Sequence, residues 1–160
     1  MRHTPLFWIR LWLAIFIAGL VTSGITAIPL ITQLNIVYRA LHYFGITGGE
    51  FHDWIQQVYA GLLETRARYP FLFYGTDWLA FGHFVVAIAF IGPLRDPRRN
   101  IWVIQSGMLA CVAVIPYAVV FGAIRGIPWW WLLIDCSFGL FGLVSLAIAY
   151  RLARRLSPES

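Results

Sequence analysis

Polar and apolar positions along this chain fall into long blocks rather than short alternations. Residues 6–30 form the first apolar block, broken only by Arg10 among charged side chains. It is long enough to cross a bilayer, which takes roughly 20 residues. The short basic start followed by apolar residues resembles a signal peptide, with a small-residue cleavage option near Ala27. The length of the apolar run favours a retained first helix. Pro29 is expected to bend or end it.

Beyond Pro29 the period changes. Leu30, Leu34, Val37, Leu41 and Phe44 recur at helical spacing among Gln33, Asn35 and Arg39, and Gly45 stops the pattern. Thr47-Gly48-Gly49 predicts a turn. A second amphipathic piece then places Phe51, Trp54, Ile55, Val58 and Leu62 on one face, with Glu50, Asp53, Gln57 and Glu64 around the rest. Neither piece can span. Residues 31–75, closed by the aromatic run Tyr69–Tyr74, are expected to form a cap on the outer membrane surface.

Three further apolar blocks follow, at about 77–94, 101–122 and 129–150. Thr76 is the expected N-cap of the first, and Asp77 is well placed against its helix dipole. Gly92-Pro93 should end it, Pro116 should interrupt the next, and Pro128 suits the start of the last. The pattern predicts one all-α domain over 1–160. It is an integral membrane four-helix bundle with a short extracytoplasmic cap of two amphipathic helices and a tail over 151–160.

Composition supports this. Hydrophobic residues make up 60% and charged residues 12%, so a chain this short could not hide its apolar surface from water without a lipid bilayer. The net charge of +5 is made by arginine alone, because lysine is absent. Eight arginines (Arg2, Arg10, Arg95, Arg98, Arg99, Arg151, Arg154, Arg155) fall on one expected side of the bilayer and four (Arg39, Arg66, Arg68, Arg125) on the other. That bias predicts a multi-pass protein of the cell membrane, of bacterial inner-membrane type, with both termini cytoplasmic. No basic stripe on a soluble face invites nucleic acid. Cys111 and Cys136 sit in separate apolar blocks without CxxC spacing and read as small buried hydrophobes.

Chemistry is sparse. His83 and Asp135 each lie six residues inside their blocks, so both come roughly 9–12 Å below the outer helix ends. Thr76, Ala80, His83 and Ala87 share one stripe, as do Asp135, Gly139 and Gly142. Small residues let membrane helices approach, so both stripes should face the bundle interior and could bring the two ionisable groups together. His83 and Asp135 are the catalytic candidates, His83 for acid–base work and Asp135 to orient it. Asp77, Tyr117, Arg125 and Thr26 are the candidates to line a ligand pocket around them. Equally, the pair could merely lock helix packing.

His42, His52 and Asp53 lie in the cap. Neighbours on a helix point about 100° apart, so His52 and Asp53 are not expected to make a metal site, and no metal is expected elsewhere. Bis-histidine haem would need two intramembrane histidines, and only His83 qualifies, with Met108 the other soft ligand; no cofactor is expected. Nucleotide-binding glycine loops, HExxH and GxSxG are absent. Two functions remain: an accessory or assembly subunit of a larger membrane complex, or a protein that binds a lipophilic small molecule or relays protons. The sequence does not decide whether it is an enzyme.

Overall fold

The computed structural model describes residues 5–156; Arg2, one of the eight arginines counted on one side, lies outside that range. The described residues are 86% helical and include no strand, which makes the protein all-α. The elements are α1 (Pro5–Ala27), α2 (Leu30–Tyr43), α3 (Glu50–Arg68), a 3₁₀ turn (Pro70–Phe73), α4 (Tyr74–Ala89), α5 (Ile91–Arg95), α6 (Ile101–Arg125) and α7 (Trp129–Ala153). Four stretches are long and apolar enough to cross a membrane: Pro5–Ala27, Pro70–Arg95, Ile101–Arg125 and Trp129–Ala153.

These bounds depart from the sequence pattern where a proline or a side chain intervenes. Thr76 is not an N-cap. The helix has already begun at Tyr74, and the Thr76 hydroxyl donates to the Phe73 carbonyl at 2.7 Å. The same crossing breaks at Ala89, one turn before Gly92-Pro93, because Pro93 has no N–H to offer the Ala89 carbonyl. Pro116 does not interrupt α6, which continues through it to Arg125. Glycines at positive φ end two helices. Gly45 (φ 72°) and Gly126 (φ 68°) follow α2 and α6, with Ile46 N–H donating to Leu41 O and Ile127 N–H to Gly122 O, both at 2.9 Å. That six-to-one bond is the Schellman closure, and glycine takes the left-handed residue at least cost.

The chain forms two compact units. Among the described residues, one comprises 5–20 and 85–156, the other Val21–Phe84. In the first, the core is an apolar cluster of Ile9, Leu13, Phe90, Ile104, Cys111, Leu146, Ala149 and Ala153. Its helices α6 and α7 form an antiparallel hairpin in a steady register. Gly122 lies against Leu132, Gly139 against Val114 and the Cys111 carbonyl, Gly142 against the Cys111 sulfur, and Gly107 against Leu146. A methyl group on Gly139 would stand 2.7 Å from the Cys111 carbonyl oxygen, so a glycine is what permits this approach. Gln105 closes the far end, donating to the Tyr150 hydroxyl at 3.2 Å. Arg10 donates to the Leu94 and Arg95 carbonyls at the end of α5 (3.2 and 3.5 Å).

In the second unit, Gly24 of α1 abuts Phe84 and the Ala80 carbonyl of α4, and α2 packs on α3. The break at Pro29 leaves the Thr26 carbonyl without its helical donor. The Gln33 side-chain amide supplies one at 2.9 Å. On α3, Ile55 is buried and Trp54, Val58 and Leu62 are half-buried, as the sequence pattern suggests; Phe51 instead stays exposed, and His52 is buried beside Ile55.

Candidate functional site

Asp135 sits on a stripe of α7 formed by Leu132, Asp135, Gly139, Gly142, Leu146, Ala149 and Ala153, spaced by three and four residues. The contacts just described show that this stripe is the one laid against α6. The register of those contacts sets Asp135 level with Ala118, a small residue on the matching stripe of α6. The expectation that Gly139 and Gly142 face a neighbouring helix is met. The carboxylate is half-buried, and no described residue of its unit hydrogen-bonds or ion-pairs with it. On insertion scales a charged side chain costs about 2.5–3.5 kcal/mol at the centre of a spanning helix and less toward its ends. Asp135, six residues in, meets part of that cost, so the unpaired group calls for a partner or a proton.

His83 belongs to the second unit. Its Nδ1–H donates to the Leu79 carbonyl one turn back, at 2.8 Å. That bond fixes the tautomer: the neutral ring then presents Nε2 as an acceptor, and a proton taken up there makes it cationic. Ala80, on the same stripe, is buried, and Thr76 and His83 are half-buried.

The four pocket candidates find other roles. Thr26 donates its hydroxyl to Ser23 of its own helix at 3.0 Å, while its carbonyl takes the Gln33 amide. Asp77 lies exposed in a shallow groove along one face of α4 with Tyr74, Trp78 and Phe81. Tyr117 is exposed and its ring packs on Phe121 with centroids 4.4 Å apart. Arg125 is exposed in the last turn of α6, where a cation complements the helix dipole. Thr26 and Asp77 share no hydrogen bond within their unit, nor do Tyr117, Arg125 and Asp135 within theirs.

His42, His52 and Asp53, which the sequence groups without a contact between them, come together in a cluster on α2 and α3. His52 is 6% exposed, and its Nδ1 contacts Asp53 Oδ1 at 3.0 Å despite the angle between neighbouring positions. The imidazole edge and a short carboxylate both swing along the helix surface, so the 100° separation of their Cβ vectors does not keep the tips apart. Nε2 of His52 is buried without a hydrogen-bond partner among the described residues. Tyr38 stacks on the ring at 6.3 Å and His42 meets it edge-on at 5.8 Å, while Tyr59 stacks on Tyr38 at 5.6 Å. Among the described residues, no group of three or more His, Cys, Asp or Glu side chains could hold a metal ion. The signal available in the sequence was the spacing of Tyr38 and His42 on α2, a partner face for His52 and Tyr59 on α3.

No protein-family model, curated protein or solved structure matches this chain.

Proposed function

We propose that this protein is an accessory or assembly subunit of a larger membrane complex. The observation that carries it is Asp135: a carboxylate on the packed stripe of a spanning helix, with no hydrogen-bond or charge partner from its own unit among the described residues. Such a group is expensive unless a membrane-embedded donor meets it, and a partner subunit supplies one. The test is copurification in mild detergent. A stoichiometric partner should accompany the wild type and Asp135→Asn, whose amide keeps a hydrogen bond, and should be lost from Asp135→Leu. Recovery of the wild type without any protein partner would overturn the proposal.

The second reading is a lipophilic-ligand or proton-relay protein working through His83 and Asp135. Its support is the fixed tautomer of His83, which leaves Nε2 to take up a proton. Under it, Asp135→Asn and His83→Gln each abolish ligand retention or proton uptake while the fold survives, and the double variant loses no more than either single one. Additive effects would leave the accessory role alone.

A further inference from the structure

The second unit holds a cleft of ≈ 300 Å³ at the break between α1 and α2, lined by Ile28, Pro29, Ile31, Thr32, Arg66 and Phe73. We infer that it binds a phosphate group through Arg66 and Thr32, with apolar chain or glycerol lying on Ile28, Ile31 and Phe73. Three features of the cleft converge on this chemistry.

The first is charge. Arg66 is the only charged residue of the lining, and no ion pair with it occurs among the described residues. Arg68, two positions on, is held by Glu64 at 3.5 Å. Of these two arginines, the one in the cleft therefore keeps its guanidinium for something else, and a guanidinium matches a phosphate with two parallel N–H donors. The second is the rest of the wall. Thr32 adds a hydroxyl with no described hydrogen bond, no carboxylate lines the cleft to repel an anion, and the remaining four side chains are apolar. A free inorganic ion would gain nothing from those four; an amphiphile would. The third is depth. The cleft opens at Ile28 and Pro29, directly after the 23-residue apolar helix α1 ends, which is where headgroups meet a spanning segment. Its volume is at the lower end of small-molecule sites and suits a headgroup rather than a whole lipid.

The shared chemistry is a phosphate, which a phospholipid headgroup or free phosphate could bring. Native mass spectrometry of the detergent-purified protein tests both, with phosphatidylglycerol, phosphatidylcholine and inorganic phosphate as probes. Arg66→Gln, Thr32→Val and, as control, Arg68→Gln are compared, with circular dichroism confirming an unchanged fold. We expect retained phosphatidylglycerol in the wild type and Arg68→Gln, weakened about tenfold or more in Arg66→Gln and less in Thr32→Val. Competition by inorganic phosphate would support the anion site and show that the headgroup charge is what binds. Arg66-dependent retention of phosphate without lipid would support the same chemistry from the soluble source. Equal binding by Arg66→Gln and Arg68→Gln, or no retention of any probe, would overturn it.

Discussion

At the scale of single residues, His52 and the seam glycines make opposite demands. The His52 ring is buried with Nε2 unpaired, and its bond to Asp53 reaches an acid that is itself exposed. Removing a buried polar atom that has no partner costs little when shape is kept. His52→Phe should therefore leave stability within about 1 kcal/mol. His52→Ala empties a packed ring site and should cost roughly 2–4 kcal/mol, read as faster proteolysis of the α2–α3 segment. Gly139 and Gly122 allow no such freedom, since a side chain at either position would enter α6 or the Leu132 side chain. Gly139→Leu should separate α6 from α7 and abolish the folded form in a detergent unfolding assay, while Gly19→Leu, where nothing lies within 4 Å, should be tolerated. The glycine stripe beside Asp135 was visible in the sequence because its spacing is helical. The burial of His52 was not, because it depends on which face of α3 meets α2, and that is decided by tertiary contact.

At the scale of elements, local chemistry was the most legible part. Hydropathy picks out the crossings, Pro29 and Gly45 mark stops, and Pro128 marks a start, all because each acts on its own few residues. The departures arise where neighbours outweigh local preference. Pro116 frees the Val112 carbonyl, yet α6 stays helical, since Cys111, Ile115 and Ala118 lie along its α7-facing stripe on both sides of the proline. Tyr74 begins its helix early because the 3₁₀ turn from Pro70 already sets helical backbone before Thr76. The termini of α2 and α6 carry their own prediction. Gly126→Ala forces a methyl-bearing residue into the left-handed region and should cost about 1–2 kcal/mol in a chemical unfolding assay. The same change at Gly82, inside α4 with open space around it, should cost nothing and can stabilise the helix.

At the scale of the whole molecule, the arginine distribution predicts an orientation that labelling can test. Arg95 ends α5, and Arg98 and Arg99 lie in the loop after it; Asp96 Oδ1 accepts the Arg99 backbone N–H at 2.9 Å, and no ion pair joins Asp96 to any of the three among the described residues. Cysteines placed at Pro97 and at Thr47 should label from opposite faces of sealed vesicles, Pro97 from the inside; labelling of both from one face would reverse the topology. The α6–α7 hairpin has a consequence for how the protein reaches its membrane at all. Alone, α7 would carry a bare carboxylate into hydrocarbon during synthesis. Only residues 126–128 separate it from α6, so all of α6 precedes Asp135 out of the ribosome and is at hand to pack with α7. The two helices then enter as one partitioning body, with Asp135 half-buried in the seam instead of meeting lipid on every side. A flexible insert after Gly126 should lower the inserted fraction of α7 in a glycosylation-mapping assay, and Asp135→Leu should remove that sensitivity. Chain order, then, decides how much lipid the acid meets before a partner reaches it.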